Sequence, residues 1–184
     1  ENSIRFVAEQ DSLNASILGP DAAPGTPEFD LFIKEAQREM TTKAGQKCTA
    51  IRRIIAPDNC VEAVIDALSD RLAKTTVGDP NKAETRMGAL VSNAQKRDVL
   101  DKAAIIGTEA TQVYGDPSLA ESKGAFLSPM LYHCESPDTA NRVHDTEAFG
   151  PVSTVMGYRD LPHAITLANK GQGSLVASVI THDP

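Results

Sequence analysis

The chain has 184 residues, 41% hydrophobic and 23% charged, a balance typical of a globular domain with a buried core. The formal net charge of −7 argues against a nucleic-acid-binding protein, because such proteins carry a basic face. No apolar run reaches the roughly 20 residues of a transmembrane helix, and the N-terminal sequence lacks the basic and apolar regions of a signal peptide. Because the chain opens directly into a strand-like run without a methionine, we expect a piece of a longer polypeptide.

The first predicted elements surround a loop rich in proline and glycine. Residues 4–8, "IRFVA", indicate a short strand, and "LGPDAAPGTP" indicates the loop. A helix then begins with Thr26 as N-cap and Pro27 at the first helical position, and Gly45 is its expected end. Its buried face is predicted from apolar residues at helical spacing: Phe29, Ile33, Ala36 and Met40.

Strands and helices alternate along the rest of the chain. Further helices are predicted after Asp58, in "NAQKRDVLDKAAII" ending at Gly107, and in "PHAITLAN"; strands are predicted in "AIRRIIAP", "TQVYG", "AFLSPMLYHC", "PVSTVMGY" and "LVASVIT". This alternation indicates an α/β fold, a three-layer sandwich with a largely parallel sheet. One domain, residues 1–184, accounts for the whole chain.

Three cysteines are an odd number and do not suggest a disulfide framework, so we expect reduced thiols and a cytoplasmic location. Cys60 and Cys134 lie in apolar contexts and are interpreted as core residues, although a helix N-terminus lowering the pKa of Cys60 is an alternative. The four histidines are scattered and form no CxxC or HExxH pattern, so the sequence predicts no metal site.

Cys48 differs from the other two cysteines because cations surround it in "KAGQKCTAIRR". Nearby positive charge favours a thiolate, so Cys48 is a candidate nucleophile; the alternative is a small buried residue. Arg52 and Arg53 are adjacent in a predicted strand and point to opposite faces, so only one of them can face a given site. Part of this positive cluster is therefore expected to be structural.

Five segments in order resemble the aldehyde dehydrogenase superfamily. They are "GQKCTA" around Cys48, "VGDP" at Val77–Pro80, "MGALVS" at Met87–Ser92, "EAFGPV" at Glu147–Val152 and "ASVIT" at Ala177–Thr181. "AEQDSLNASILGPDA" and "REMTTKAGQKCTAIRR" further resemble the branch that oxidises CoA-linked semialdehydes in phenylacetate and benzoyl-CoA catabolism. Glu9 stands where the family has Glu-Leu-Gly-Gly-Lys, but "EQDSLN" lacks the two glycines and the lysine.

The resemblance implies roles for four residues. Cys48 would form a thiohemiacetal and then a thioester with the aldehyde, and Glu9 would activate water for hydrolysis. Glu147 would bind the nicotinamide ribose hydroxyls, and Phe149 would pack beside the ring. NADP is the implied cofactor, with NAD as the alternative. Because no GxGxxG motif occurs here, we expect a preceding lobe to bind most of it, and these residues alone to be inactive.

The resemblance also implies an aldehyde substrate, a CoA-linked semialdehyde of aromatic-acid catabolism, and a homo-oligomer. Two other interpretations stay open at this point. A cysteine acyltransferase or thioesterase would use the same thiolate without hydride transfer, although "EAFGPV" argues against it. A non-catalytic interaction module would leave Cys48 no more reactive than Cys60 and Cys134.

Overall fold

The computed structural model describes residues 4, 10–116, 119, 123–172 and 174–183. Within these ranges the strands are β1 (Ala15–Leu18), β2 (Arg53–Pro57), β3 (Thr111–Tyr114), β4 (Met130–Cys134), β5 (Val152–Tyr158) and β6 (Ala177–Ile180). The α-helices are α1 (Pro27–Thr41), α2 (Val61–Ala73), α3 (Asn93–Ile106), α4 (Arg142–Asp145) and α5 (Leu161–Asn169). None of the helices in these ranges combines the length and the apolar character that a membrane span needs.

The strands form one sheet in the order β3-β4-β5-β2-β1-β6. All neighbours pair in parallel except β3 and β4, which are antiparallel at one edge. Crossover helices connect the parallel strands, as this topology requires. The predicted α/β fold with a largely parallel sheet is confirmed.

The sheet is covered on both faces, which makes three layers. Ile54 faces a core formed with α1 and α2, and its neighbour Ile55 faces a second core formed with α3, α4 and α5. Successive strand residues point to opposite faces, so a strand buried on both sides is apolar throughout. All five residues of β2 are buried, and the four that follow Arg53 are apolar as this rule expects.

The start of α1 follows the local signals in the sequence. The Thr26 side chain accepts a hydrogen bond from Phe29 N at 3.2 Å, and Pro27 is the first helical residue. The four residues predicted for its inner face are buried, and Phe32 joins them. The prediction for this helix is confirmed at its N-terminus and along its buried side.

Three local predictions fare differently. The strand expected at residues 4–8 lies outside the described residues, apart from an exposed Ile4. β1 was not predicted. The helix end expected at Gly45 is wrong: α1 ends at Thr41, and Gly45 instead ends a short turn in which Lys43 and Ala44 also have positive φ.

Candidate active site

Two of the segments singled out in the sequence, those of Cys48 and Glu147, lie at one edge of the sheet, the amino edge, where the parallel strands begin. Asn14 immediately precedes β1, Cys48 precedes β2, and Glu147 precedes β5. These strands run in the same direction, so the residues that lead into them are brought to the same edge. Residues far apart in the sequence become neighbours in this way.

Cys48 is exposed at the amino edge, whereas the other two cysteines are buried. Burial raises the pKa of the Cys60 and Cys134 thiols, which lie in the two hydrophobic cores. Their predicted core placement is confirmed, and the alternative of a lowered pKa at Cys60 is wrong. Of the three thiols, Cys48 is the one that a reagent in solvent can reach.

The turn before Cys48 has an unusual backbone. Lys43, Ala44 and Gly45 have φ values of 53°, 53° and 70°, in the left-handed region. Side chains rarely adopt this conformation, and each non-glycine residue there costs roughly 1–2 kcal/mol. Such strain persists only where surrounding contacts hold it in place.

Gly45 lies directly against the loop that carries Glu147. A Cβ atom built on Gly45 would fall 2.1 Å from the carbonyl oxygen of Gly150. This close approach leaves no room for a side chain at position 45, and the positive φ also favours glycine there. The cysteine loop and the "EAFGPV" loop are therefore packed backbone to backbone.

Arg52 joins the same two loops through its side chain. Its guanidinium donates to Gly45 O at 2.8 Å, to Gly150 O at 2.7 Å and, through Nε, to Glu147 Oε1 at 3.0 Å. It also lies 5.5 Å from the centre of the Phe149 ring. Burial lowers the pKa of Arg52, and the Glu147 carboxylate opposes that shift. The planar fork of arginine suits this set of acceptors.

Glu147 is itself buried, and both of its carboxylate oxygens accept hydrogen bonds within the chain. Oε1 accepts from Arg52, and Oε2 accepts from Ser12 N at 2.9 Å. Each carboxylate oxygen has two acceptor positions, so both retain one for a ligand hydroxyl. Phe149, two residues further along, is 37% exposed. A buried carboxylate beside an exposed aromatic ring fits a ribose and a flat ring.

Three of the cations around Cys48, namely Lys47, Arg52 and Arg53, bond to other groups. Lys47 Nζ lies 2.7 Å from Glu39 of α1, and Arg52 is held by the contacts above. Arg53 is fully buried on the opposite side and donates to Leu13 O, Leu167 O and Ala168 O. The expectation that Arg52 and Arg53 face opposite ways is confirmed, as is a structural role for part of the cluster.

A third predicted segment reaches the site through glutamines. Gln46 Oε1 accepts from Val91 N at 2.9 Å, within "MGALVS", and Gln95 Nε2 donates to Phe149 O at 3.0 Å. Val91 is 81% exposed beside these contacts. "MGALVS" is therefore part of the same surface as the cysteine loop.

Sequence reasoning did not single out Ser12 and Asn14, and it treated Arg52 only as one of several cations. Asn14 Nδ2 donates to Cys48 O at 2.8 Å and to Ala50 O at 2.9 Å. No local pattern marks these residues, because their partners in the Glu147 loop and the cysteine loop lie 34 or more positions away. Glu9, the predicted base, lies outside the described residues.

A separate cavity of about 520 Å³ opens at the carboxyl edge of the sheet, where parallel sheets often bind ligands. Its lining includes Asp138, whose carboxylate accepts from Arg159 and lies 2.8 Å from His163. These partners lower the pKa of Asp138. Cys48, Glu147 and Phe149, the predicted site residues that the structure describes, do not line this cavity. Across the described ranges, no three His, Cys, Asp or Glu side chains are grouped to hold a metal ion.

An exposed cysteine on a strained loop thus lies at the amino edge of this parallel sheet, held by Arg52 against the loop of a buried carboxylate and an aromatic ring. The model of the aldehyde dehydrogenase family matches residues 1–184, and the chain belongs to that family. It is 48% identical over 187 aligned residues to 3,4-dehydroadipyl-CoA semialdehyde dehydrogenase of Aromatoleum evansii, covering 98% of this chain and 36% of that protein. Protein MaoC of Klebsiella aerogenes is 43% identical over 52% of this chain and 29% of its own length.

Solved structures show the same fold. A betaine aldehyde dehydrogenase variant from Staphylococcus aureus, in complex with NAD+, superposes with a TM-score of 0.81 at 28% identity, over 94% of this chain and 34% of that chain. An aldehyde dehydrogenase from Bartonella henselae gives 0.80 at 25% identity, over 94% and 35%. The chain thus spans about a third of the length of these relatives.

Proposed function

We propose that the protein containing this chain oxidises an aldehyde to an acid with NAD(P)+, and that Cys48 is the nucleophile. The observation that carries the proposal is the placement of the exposed Cys48 on a loop held by Arg52 against the loop of Glu147 and Phe149. Membership of the aldehyde dehydrogenase family supports the reaction class.

In this mechanism the Cys48 thiolate attacks the aldehyde carbon, and the carbonyl π electrons move to oxygen. The backbone N–H of Cys48 is one donor to the resulting oxyanion, with a second donor from a lobe outside this chain. When bound, the nicotinamide cofactor supplies the acceptor for the hydride that leaves the adduct. The carbonyl then re-forms as a thioester on Cys48. Water, deprotonated by Glu9, cleaves the thioester and releases the acid and the thiolate.

The cofactor contacts fall to Glu147 and Phe149. The free acceptor positions on the Glu147 carboxylate suit two ribose hydroxyls, while Arg52 keeps that carboxylate in place and partly neutralised. Phe149 presents an exposed apolar ring beside it. NADP is the cofactor we propose, with NAD as the alternative, and a lobe outside this chain contributes most of the binding.

The substrate we propose is a CoA-linked semialdehyde of aromatic-acid catabolism. The support is the 48% identity to a dehydrogenase named for such a substrate. We further propose a cytoplasmic enzyme that works as a homo-oligomer. The domain itself, residues 1–184, is the nucleophile-bearing part of that enzyme.

The first experiment replaces Cys48 by alanine in the complete protein and follows NADPH and NADH formation with a CoA-linked and a free semialdehyde. We expect at least a roughly 10³-fold loss of activity, since no other described thiol is accessible. Cys60→Ala, which removes a buried thiol, is the matched control and should keep its activity. Undiminished oxidation by Cys48→Ala would reject the mechanism. If the original protein released the acyl group without reducing the nicotinamide, a thioesterase would be favoured instead.

A second experiment tests Glu9 with Glu9→Gln. This change removes the base but not the nucleophile, so one turnover of NADPH should still form while the thioester persists. Mass spectrometry of the quenched protein should show Cys48 carrying the acyl group. If no acyl-enzyme accumulates, another group activates the water.

A further inference from the structure

We propose that Asn14 is a positioning residue that fixes the backbone of the cysteine loop. This inference rests on the proposed function, in which Cys48 is the nucleophile. Asn14 is fully buried and directly precedes β1, and it contacts Cys48 through the main chain rather than through sulfur. Neither its type nor its local sequence suggests this role.

Both amide hydrogens of Asn14 are directed at the cysteine loop. Nδ2 donates to Cys48 O at 2.8 Å and to Ala50 O at 2.9 Å. One side chain thereby fixes the Cys48–Thr49 peptide plane and the Ala50–Ile51 peptide plane. The Cys48 carbonyl belongs to the residue that carries the sulfur, so its orientation sets where the side chain leaves the backbone.

Hydrogen bonds to the amide oxygen of Asn14 determine which way the amide group is turned. Oδ1 accepts from Ser12 Oγ at 2.8 Å and from Val176 N at 2.9 Å. A backbone N–H can only donate, and a carbonyl oxygen can only accept, so a flipped amide would lose its hydrogen bonds to Val176, Cys48 and Ala50. All four hydrogen-bonding positions of the side chain are in use.

The Asn14 main chain reinforces the connection. Its carbonyl oxygen accepts from Arg52 N at 3.1 Å and from Arg53 N at 3.0 Å, where the cysteine loop enters β2. Ser12 extends the network, since its backbone N–H donates to Glu147 Oε2 and its hydroxyl accepts from Leu175 N. A continuous set of hydrogen bonds thus connects the Glu147 carboxylate to the backbone of Cys48.

This arrangement reconciles an accessible sulfur with a defined position. An exposed cysteine on a free loop would sample many orientations, whereas a nucleophile must approach a carbonyl at a set distance and angle. Displacement of a reacting group by about 1 Å can cost roughly 10²-fold in rate. Buried hydrogen bonds to the loop main chain restrain it without covering the sulfur.

The test is Asn14→Ser in the complete protein, which removes both donors to the loop with a small change in volume. We expect the single-turnover rate of Cys48 acylation to fall about 10²-fold, with the Kd for NADP+ within about twofold of the original. Rates are divided by the folded fraction from circular dichroism, so lost stability alone does not lower them. Ser16→Ala is the control: Ser16 lies in β1, the strand that Asn14 directly precedes, and its replacement removes the part-buried Ser178 Oγ–Ser16 Oγ hydrogen bond, 2.9 Å, and leaves the cysteine loop untouched.

A normal acylation rate per folded molecule in Asn14→Ser would overturn the inference, as would an equal loss in Ser16→Ala. If Asn14→Ser does not fold, Ser12→Ala leaves the amide present but without one of the groups that orient it, and a several-fold lower acylation rate is expected. An unchanged rate in Ser12→Ala would then reject the positioning role. Failure of the proposed function is recognised separately, because Cys48→Ala would then remain active.

Discussion

Arg52 and Glu147, 95 residues apart in sequence, form a buried ion pair with Nε and Oε1 3.0 Å apart. The two side chains are only 4% and 6% exposed. Each side chain also bonds to backbone groups, Arg52 to two carbonyls and Glu147 to the Ser12 N–H. These hydrogen bonds replace the water that both charges lose on burial. The pair therefore stabilises the fold and also holds the surface that we propose binds the cofactor.

Replacing Arg52 by methionine should cost about 3–5 kcal/mol of unfolding free energy, because the buried Glu147 charge would lose its ion-pair partner and the carbonyls of Gly45 and Gly150 would each lose a donor. Urea unfolding measures the loss. Arg38→Met is the control, since Arg38 forms an exposed ion pair with Glu35 that contributes at most about 1 kcal/mol. If Arg52→Met lost no more unfolding free energy than Arg38→Met, the contacts of Arg52 with the two loops would not stabilise the fold. The double variant Arg52→Met/Glu147→Leu should be less destabilised than the two single effects predict.

Stability should also fall as the solution becomes acidic, because of His144. Burial lowers its pKa to about 4 from an ordinary value near 6.5, and its Nδ1 lies 3.2 Å from the Arg53 guanidinium. Arg53 and Lys170 also disfavour the protonated ring, whereas Glu109 favours it. Between pH 6.5 and 4 the unfolded chain binds a proton that the folded chain does not. The neutral His144 side chain therefore makes its full contribution to the free energy of unfolding above pH 6.5. This contribution, roughly 3 kcal/mol in all, is lost as the pH falls toward 4.

The measurement is the urea midpoint at several pH values between 7 and 4. His144→Gln retains an acceptor and a donor but does not titrate, so its stability should depend less on pH over this interval. His182→Gln changes an exposed histidine and is the control. Parallel pH profiles for the original protein and His144→Gln would show that acid destabilisation has another source.

The sequence predicted elements whose signals lie within a few residues, and it missed elements that depend on pairing with distant strands. The start of α1 and the whole of α3 were found because caps such as Thr26 act within one turn. β1 was missed because its four residues are all buried only after pairing with β2 on one side and β6 on the other. The strand "ASIL" has no alternating pattern to indicate this.

The residues of the candidate site also fall into those that the sequence predicted and those that only the structure identified. Cys48 and Glu147 could be proposed because they lie in segments that resemble a known family. The roles of Arg52 and Asn14 follow from contacts with residues far along the chain. Lys47 and Arg53 were interpreted with Cys48 because they are close in sequence, yet their side chains bond to Glu39 and to carbonyls on the other side of the sheet.

Gly45→Ala should be among the most damaging small substitutions. The added Cβ would overlap Gly150 O, and the positive φ would be strained as well, so we expect a loss of about 3 kcal/mol or more and a large drop in activity. Gly25→Ala separates the two effects, because Gly25 also has positive φ, 93°, but nothing lies within 4 Å of its Cβ position. A cost near 1 kcal/mol is expected there. Equal costs at both positions would mean that the close approach of the two loops is unimportant.

The three cysteines should differ sharply in reaction with iodoacetamide. Cys48 is exposed and needs no opening of the structure, whereas Cys60 and Cys134 are only 4% and 1% exposed and react when the protein unfolds locally. We expect Cys48 to be modified faster by on the order of 10²-fold or more at neutral pH, followed by peptide mass spectrometry. In concentrated urea the three rates should converge, which provides the internal control. Similar rates for all three in the folded protein would mean that Cys48 has no special access to solvent, and would favour a non-catalytic module over the dehydrogenase.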